Sequence, residues 1–199
     1  MDFTDLVWLF ACDNRNRGIV RMNFDEAALL WNTVKRTGGP ILEIGRRLGG
    51  STVLVCAAAA GRKLVSIDIA PRHDPAVEAF LQAPEHASNV ELLVADSRYP
   101  LSGYRFGLLF IDGDHSYEGV REDTYAHWDA LESHDGCPPL VAFHDAVPND
   151  GLRHVKKINH APGVKQFCEE LVSTGAMEVE ATAGSLLVAR KTGPLPTRD

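Results

Sequence analysis

The stretch Ile41-Leu42-Glu43-Ile44-Gly45-Arg46-Arg47-Leu48-Gly49-Gly50-Ser51-Thr52 decides the fold. A short apolar strand runs into a glycine-rich bend, and Ser51-Thr52 then opens a helix with hydroxyls and unpaired N–H groups. Gly45 and Gly49 let the backbone turn tightly and approach a ligand. The spacing is not G-x-x-x-x-G-K-[ST], so no ATP phosphate cradle is expected. It is not G-x-G-x-x-G either, because Arg47 stands where the second glycine belongs. On its own, such a bend is an ordinary strand-to-helix connection.

The strands that follow change its meaning. Val65-Ser66-Ile67-Asp68 places an acid about 20 residues beyond the loop, where nucleotide-binding sheets hold ribose hydroxyls. Val94-Ala95-Asp96-Ser97 ends the next apolar run with another acid, at a height suited to an adenine amino group. The expected strands are 40–44, 63–68, 90–94, 106–111 and 140–144, near-continuous apolar runs of the kind buried on both faces of a parallel sheet. Helical stripes lie between and after them at 24–36, 117–134 and 163–173. The runs 177–182 and 185–190, separated by Ala183-Gly184, are too close for anything but a hairpin. An α/β sheet covered on both faces and closed by an antiparallel pair is therefore expected. Residues 1–191 form a single domain in which 1–22 cap the edge or mouth of the sheet, and 192–199 read as a flexible tail.

Composition narrows the function. The 199 residues are 45% hydrophobic and 24% charged, sufficient for one core without disulfides. Twenty Lys+Arg against 27 Asp+Glu give a formal charge of -7, and the longest basic runs are Arg46-Arg47 and Lys156-Lys157. A nucleic-acid partner is not expected. No apolar stretch approaches the roughly 20 residues of a membrane span. Cys12, Cys56, Cys137 and Cys168 form no C-x-x-C pair, which favours a reducing cytoplasm.

With Glu43-Ile-Gly45-x-x-x-Gly49-x-Ser51, Asp68, Ala95-Asp96-Ser97 and the closing hairpin in hand, the chain resembles class I S-adenosylmethionine-dependent methyltransferases from about Ile41 to Arg190. Phe110-Ile-Asp112-Gly-Asp-His115-Ser-Tyr-Glu-Gly-Val120, followed by Phe143-His144-Asp145, resembles the methyltransferase-24 group, related to metal-dependent O-methyltransferases of catechols, sugars and macrolides. The resemblance implies a Rossmann-like, doubly wound, seven-stranded sheet of order 3-2-1-4-5-7-6. It also implies that Gly45–Gly49 pack on the methionine and ribose of the cofactor, with Glu43 below and Ser51 near the carboxylate. Asp68 would hold the ribose diol with Ile69 beside it, Asp96 and Ser97 would flank adenine, and Asp112 would join the cofactor contacts. Arg46 and Arg47 are bulky for this loop, and either solvent or substrate is open to them.

Asp112 and Asp145 follow the fourth and fifth strands, which as neighbours lie about 4.8 Å apart. Their carboxylates, with His144, could hold one divalent ion. Oxygen ligands favour Mg²⁺, whereas imidazole shifts the preference towards Zn²⁺ or Fe²⁺. His115 matches the D-x-x-H arrangement of the sugar and macrolide relatives, in which the histidine is a proposed general base; its near-neutral titration suits that role. The plain alternative has Asp114 and Ser116 capping the next helix, with His115 lying in that turn. The loop 146–162, rich in bases, stands where an acceptor would enter. Trp8, Phe10 and Trp31 could line the acceptor pocket, though core packing suits Trp31 better. The reading is methyl transfer to a small-molecule hydroxyl, with a homodimer as one option for its assembly. Its rivals are an NAD(P)-binding oxidoreductase on a similar sheet and a non-catalytic cofactor-binding relative.

Overall fold

The computed structural model describes residues 2–10, 19–70, 72, 74–148 and 162–197. Cys12 and most of the 146–162 loop, including Asn149, Asp150, Arg153, His154, Lys156, Lys157 and His160, lie outside them. Seven strands form one sheet of order β3-β2-β1-β4-β5-β7-β6. They are β1 (Ile41–Ile44), β2 (Leu64–Asp68), β3 (Val90–Val94), β4 (Leu108–Ile111), β5 (Leu140–Phe143), β6 (Met177–Ala183) and β7 (Leu186–Lys191). The first five are parallel, and β7 runs antiparallel to both β5 and β6. This is the expected order with the expected hairpin.

Alternate residues of the central strands serve two cores, which explains why these strands read as unbroken apolar runs. Ile41, Leu64, Leu108, Phe110 and Leu140 pack with α1 (Phe24–Arg36) and α2 (Gly50–Ala59). Leu42, Ile67, Leu109, Ile111 and Phe143 pack with α5 (Tyr117–His127) and α6 (Pro162–Ser173). The strand β3 departs from this pattern, with Leu92 41% and Val94 57% exposed, because it forms one edge of the sheet.

Three local expectations change. The helix expected over 117–134 stops at His127, passes through a 3-10 turn at Trp128–Ala130, and becomes extended at Leu131. Phe106, expected in a strand, instead pairs with Leu131 in a single bridge, and both side chains are buried. Helical spacing had identified Leu131 as a core residue, but a strand-like bridge is what buries it. Two short helices unmarked by any stripe, α3 (Pro75–Leu81) and α4 (Pro84–Ala87), join β2 to β3. Pro at their first turns and the Asp74 cap on Ala76 N–H (2.9 Å) start them. Two side chains of the α5 region reach the segment that follows β7. Trp128 Nε1 donates to Gly193 O (3.0 Å), and Tyr125 OH donates to Pro196 O (2.8 Å).

At the other end, a 3-10 segment (Phe3–Leu9) buries Leu6 and Leu9, and Val20 N–H returns to Leu9 O at 3.1 Å. Trp31 joins the core, while Phe10 packs on Phe24 and Trp8 on Phe80. No helix among the described residues is long and apolar enough to cross a membrane.

Phe110 is fully buried at the centre of the sheet, on a strand flanked by β1 and β5. Phe110→Ala is expected to cost about 3–5 kcal/mol, measured as a lowered urea midpoint with an unchanged m-value. A loss below about 1 kcal/mol would contradict tight packing there.

Candidate active site

The parallel strands end on one edge of the sheet, and a pocket of about 950 Å³ opens there. It gathers the glycine loop, the ends of β2 to β5 and the chain segment before α1.

The glycine bend is imposed by its surroundings. Gly45 has φ +92°, and a Cβ there would come within 2.1 Å of the Asp112 carbonyl oxygen. Beneath it, Glu43 is fully buried and accepts hydrogen bonds from Ser51 Oγ (2.5 Å), Thr52 Oγ1 (2.6 Å) and Ser66 Oγ (2.6 Å). Ser51, expected near the cofactor carboxylate, lines the pocket but commits its hydroxyl to Glu43. Arg46 lines the pocket but turns its guanidinium inward, towards β2 and β3. It is 3% exposed and donates to Ser66 O (2.6 Å) and Leu93 O (3.3 Å), so its cation lies within the electrostatic reach of Glu43. Arg47 carries an exposed side chain at φ 50°, and its N–H donates to Asp68 Oδ2 at 2.6 Å.

Farther along the pocket wall lies the end of β2. Asp68 also accepts from Ala70 N–H at 2.8 Å, and Ile69 stands 78% exposed on the pocket wall. Asp96 reaches the pocket, but both its oxygens are engaged by the Arg98 guanidinium, at 2.6 Å for the shortest contact. Arg98 holds this carboxyl down at about 2. Ser97 Oγ donates to Asp123 Oδ1 at 2.7 Å. Asp123, on α5, is a pocket residue that the sequence reading missed.

The reactive corner brings together Asp112, His115, His144 and Asp145. His115 Nε2 lies 3.2 Å from Asp112 Oδ1, and its Nδ1 lies 3.3 Å from Asp145 Oδ2. His144 Nδ1 is 3.1 Å from the same Asp112 oxygen and 3.8 Å from Asp145 Oδ1. The capping alternative for this turn is also real: Ser116 Oγ accepts from Gly119 N–H (3.0 Å) and Asp114 from Ser116 N–H (2.9 Å). These caps set the turn and leave His115, 40% exposed, facing the pocket.

Behind the corner stands Glu26, which sequence reasoning also missed. It is 3% exposed, accepts from Asn23 N–H (2.6 Å), Ser185 N–H (2.6 Å) and Ser185 Oγ (2.8 Å), and lies 3.6 Å from His144 Nε2. Its one signal was the Asn23-x-x-Glu26 spacing of a capping box. Burial would raise its carboxyl, but His144 and the two backbone N–H groups outweigh that and bring it to about 2. Asp112 is likewise brought to about 2: burial raises it, and His144 and His115 more than compensate. For His144, burial opposes the charged ring, yet Asp112, Glu26 and Asp145 hold its pKa well above the ordinary value.

Among the described residues, no three His, Cys, Asp or Glu side chains are arranged to hold a metal ion. Asp112, His144 and Asp145 share this corner but do not fit an ion as they stand, since both imidazoles bridge from Asp112 to Asp145. Trp8, Phe10 and Trp31 do not line the pocket; Ile19, Arg21 and Met22 take that position.

The family model described as a methyltransferase domain, methyltransferase 24, matches residues 42–146, more than half of the chain. The protein belongs to this methyltransferase family. Its fold is shared by a cofactor-bound protein from MTB (TM-score 0.64, 20% identity, 86% of this chain and 82% of that one). It is shared equally by the O-methyltransferase TomG of Streptomyces achromogenes, solved with SAM (0.62, 20%, 86% and 82%). The O-methyltransferase of Bacillus cereus, solved with SAH, is a third (0.59, 17%, 86% and 82%). No curated protein matches the sequence.

Burial pushes the Glu43 carboxyl above its ordinary value of 4.5, against three hydroxyls and Arg46 that pull it down. Between 4.5 and the folded value the native state holds the extra proton, so this contribution to stability is complete below 4.5 and is lost as pH rises. Glu43→Gln should therefore gain in melting temperature relative to wild type as pH increases from 5 to 8, as followed by circular dichroism. A difference that stays constant or shrinks would show that folding does not raise the Glu43 carboxyl.

Proposed function

We propose that the protein is an S-adenosylmethionine-dependent O-methyltransferase acting on a hydroxyl of a small molecule, such as a sugar or secondary metabolite, with His115 as general base. The observation that carries this reading is the position of His115. It is a half-exposed imidazole held by Asp112, directly beside the glycine bend whose Gly45 abuts the Asp112 carbonyl.

S-adenosylmethionine, when bound, supplies an electrophilic methyl group on a sulfonium. Gly45–Gly49 and the start of α2 would hold its methionine and ribose portions, Asp68 and Ile69 the ribose side, and the Asp96-Ser97 wall the adenine. Two of the solved neighbours bind this compound or its demethylated product in the same fold. Asp112 fixes the His115 ring from Nε2 and raises its basicity. Nδ1, in looser contact with Asp145, is where the hydroxyl proton is taken as the acceptor oxygen attacks in line. The carboxylates that an ion would need are already faced by imidazoles. Three free cysteines among the described residues support placement in a reducing cytoplasm.

Calorimetry with S-adenosylhomocysteine, followed by turnover of labelled methyl groups over a panel of polyhydroxylated acceptors, tests the reading. His115→Ala should lower kcat by roughly 10²–10⁴ while leaving binding of S-adenosylhomocysteine intact. The Asp112 hydrogen bond raises the His115 pKa above 6.5, and the base must be neutral to act, so the wild-type rate should climb as pH passes through a value above 6.5. An undiminished rate in the variant would sink the assignment of the base. Chelation with EDTA is expected to leave wild-type turnover unchanged; activity restored only by an added divalent ion would reinstate a metal at Asp112, His144 and Asp145.

A further inference from the structure

The adenine end of the pocket holds two acids of opposite character. Asp96, at the end of β3, is the one the strand pattern points to, but its carboxylate is spent: Arg98 Nε and Nη2 and the Arg98 backbone N–H all donate to it. Asp123 sits one layer deeper, on α5, and is only 3% exposed. Its Oδ1 accepts from Ser97 Oγ, and its Oδ2 makes no hydrogen bond with any described residue. Oδ2 lies against Gly113 on the pocket wall, where a Cβ would come within 2.8 Å of it. The bare backbone at 113 is what leaves room for that oxygen.

Asp123 lines the pocket, and with no protein donor on Oδ2 that oxygen is free to accept one from a ligand. Burial and the nearby charges of Asp114 and Asp96 hold the Asp123 carboxyl above its ordinary range, against the Ser97 hydrogen bond. A ligand N–H delivered to Oδ2 would gain a hydrogen bond, and a ligand carbonyl oxygen would meet only repulsion. Ser97 and Gly113 bound the pocket on this side, and a base set against the Asp96-Ser97 wall, as proposed above, would turn its edge towards Oδ2.

We propose that Asp123, through Oδ2, accepts the exocyclic amino group of the cofactor's adenine and so selects adenosyl over inosyl cofactors. This rests on the S-adenosylmethionine reading above. Asp96, by contrast, shapes the wall through its pairing with Arg98.

The test compares S-adenosylhomocysteine with S-inosylhomocysteine by calorimetry on the full chain. Wild type should favour the adenosyl compound by at least about tenfold, the scale expected when a buried polar group loses its partner. Asp123→Asn keeps an oxygen for Ser97 but turns an amide towards the base, so it should weaken adenosyl binding and bring the preference close to unity. Should that variant not fold, Gly113→Ala, whose Cβ would crowd Oδ2 at 2.8 Å, should lower adenosyl affinity instead. A preference kept in Asp123→Asn, or lost in Asp96→Asn while kept in Asp123→Asn, would overturn the proposal. So would a preference abolished equally by Ser97→Ala, which would make Asp123 a positioning residue for that hydroxyl. Wild-type protein that binds neither compound would defeat the methyl-transfer reading itself, a distinct result.

Discussion

A single carboxylate, Glu43, ties the ligand-binding edge together. It lies in the middle of the sheet with no access to water and accepts hydroxyls from the first turn of α2 and from β2. Arg46 balances its charge from the loop just above and donates onward to the backbone of β2 and β3. A buried acid in such a place is tolerated only when its lone pairs are met by donors. Those hydrogen bonds hold the glycine bend, the start of α2 and the ends of three strands in one arrangement.

The reactive corner follows the same logic with charges that can move. Glu26, Asp112 and Asp145 surround two imidazoles, and the buried one, His144, is held cationic by its neighbours. His115, nearer to solvent, is the ring that can change its proton without leaving an unpaired charge in the interior. Ser185, in the turn of the β6–β7 hairpin, binds both Glu26 and Asp145. The antiparallel end of the sheet, which supplies no acid of its own, thereby braces the carboxylates of the corner.

Much of this was legible in the order of residues. Apolar runs ending in Asp68, Asp96, Asp112 and Asp145 place those acids on one edge once the strands are parallel, and the helix spacing of Phe24–Arg36 holds to the residue. Glu26 and Asp123 were hidden because each sits in a helix directly after another acid, Asp25 or Glu122, and reads as one more solvated charge. A buried acid there differs from a solvated one only through partners distant in sequence: Ser185 for Glu26 and Ser97 for Asp123. The helix boundary at His127 was misplaced because periodicity reports that Leu131 is buried and says nothing about the backbone that buries it.

Sequence alone determined the layered α/β architecture, the glycine bend and the acids that crown the strands, since these depend on local periodicity and on residue types with narrow conformational uses. Tertiary structure decided which of the acids remain available. Asp96 is claimed by Arg98, Ser51 by Glu43, and the carboxylates of the reactive corner by two imidazoles. The physical reason is that a charge buried in a protein is governed by its nearest partner in space, and no spacing along the chain specifies that partner.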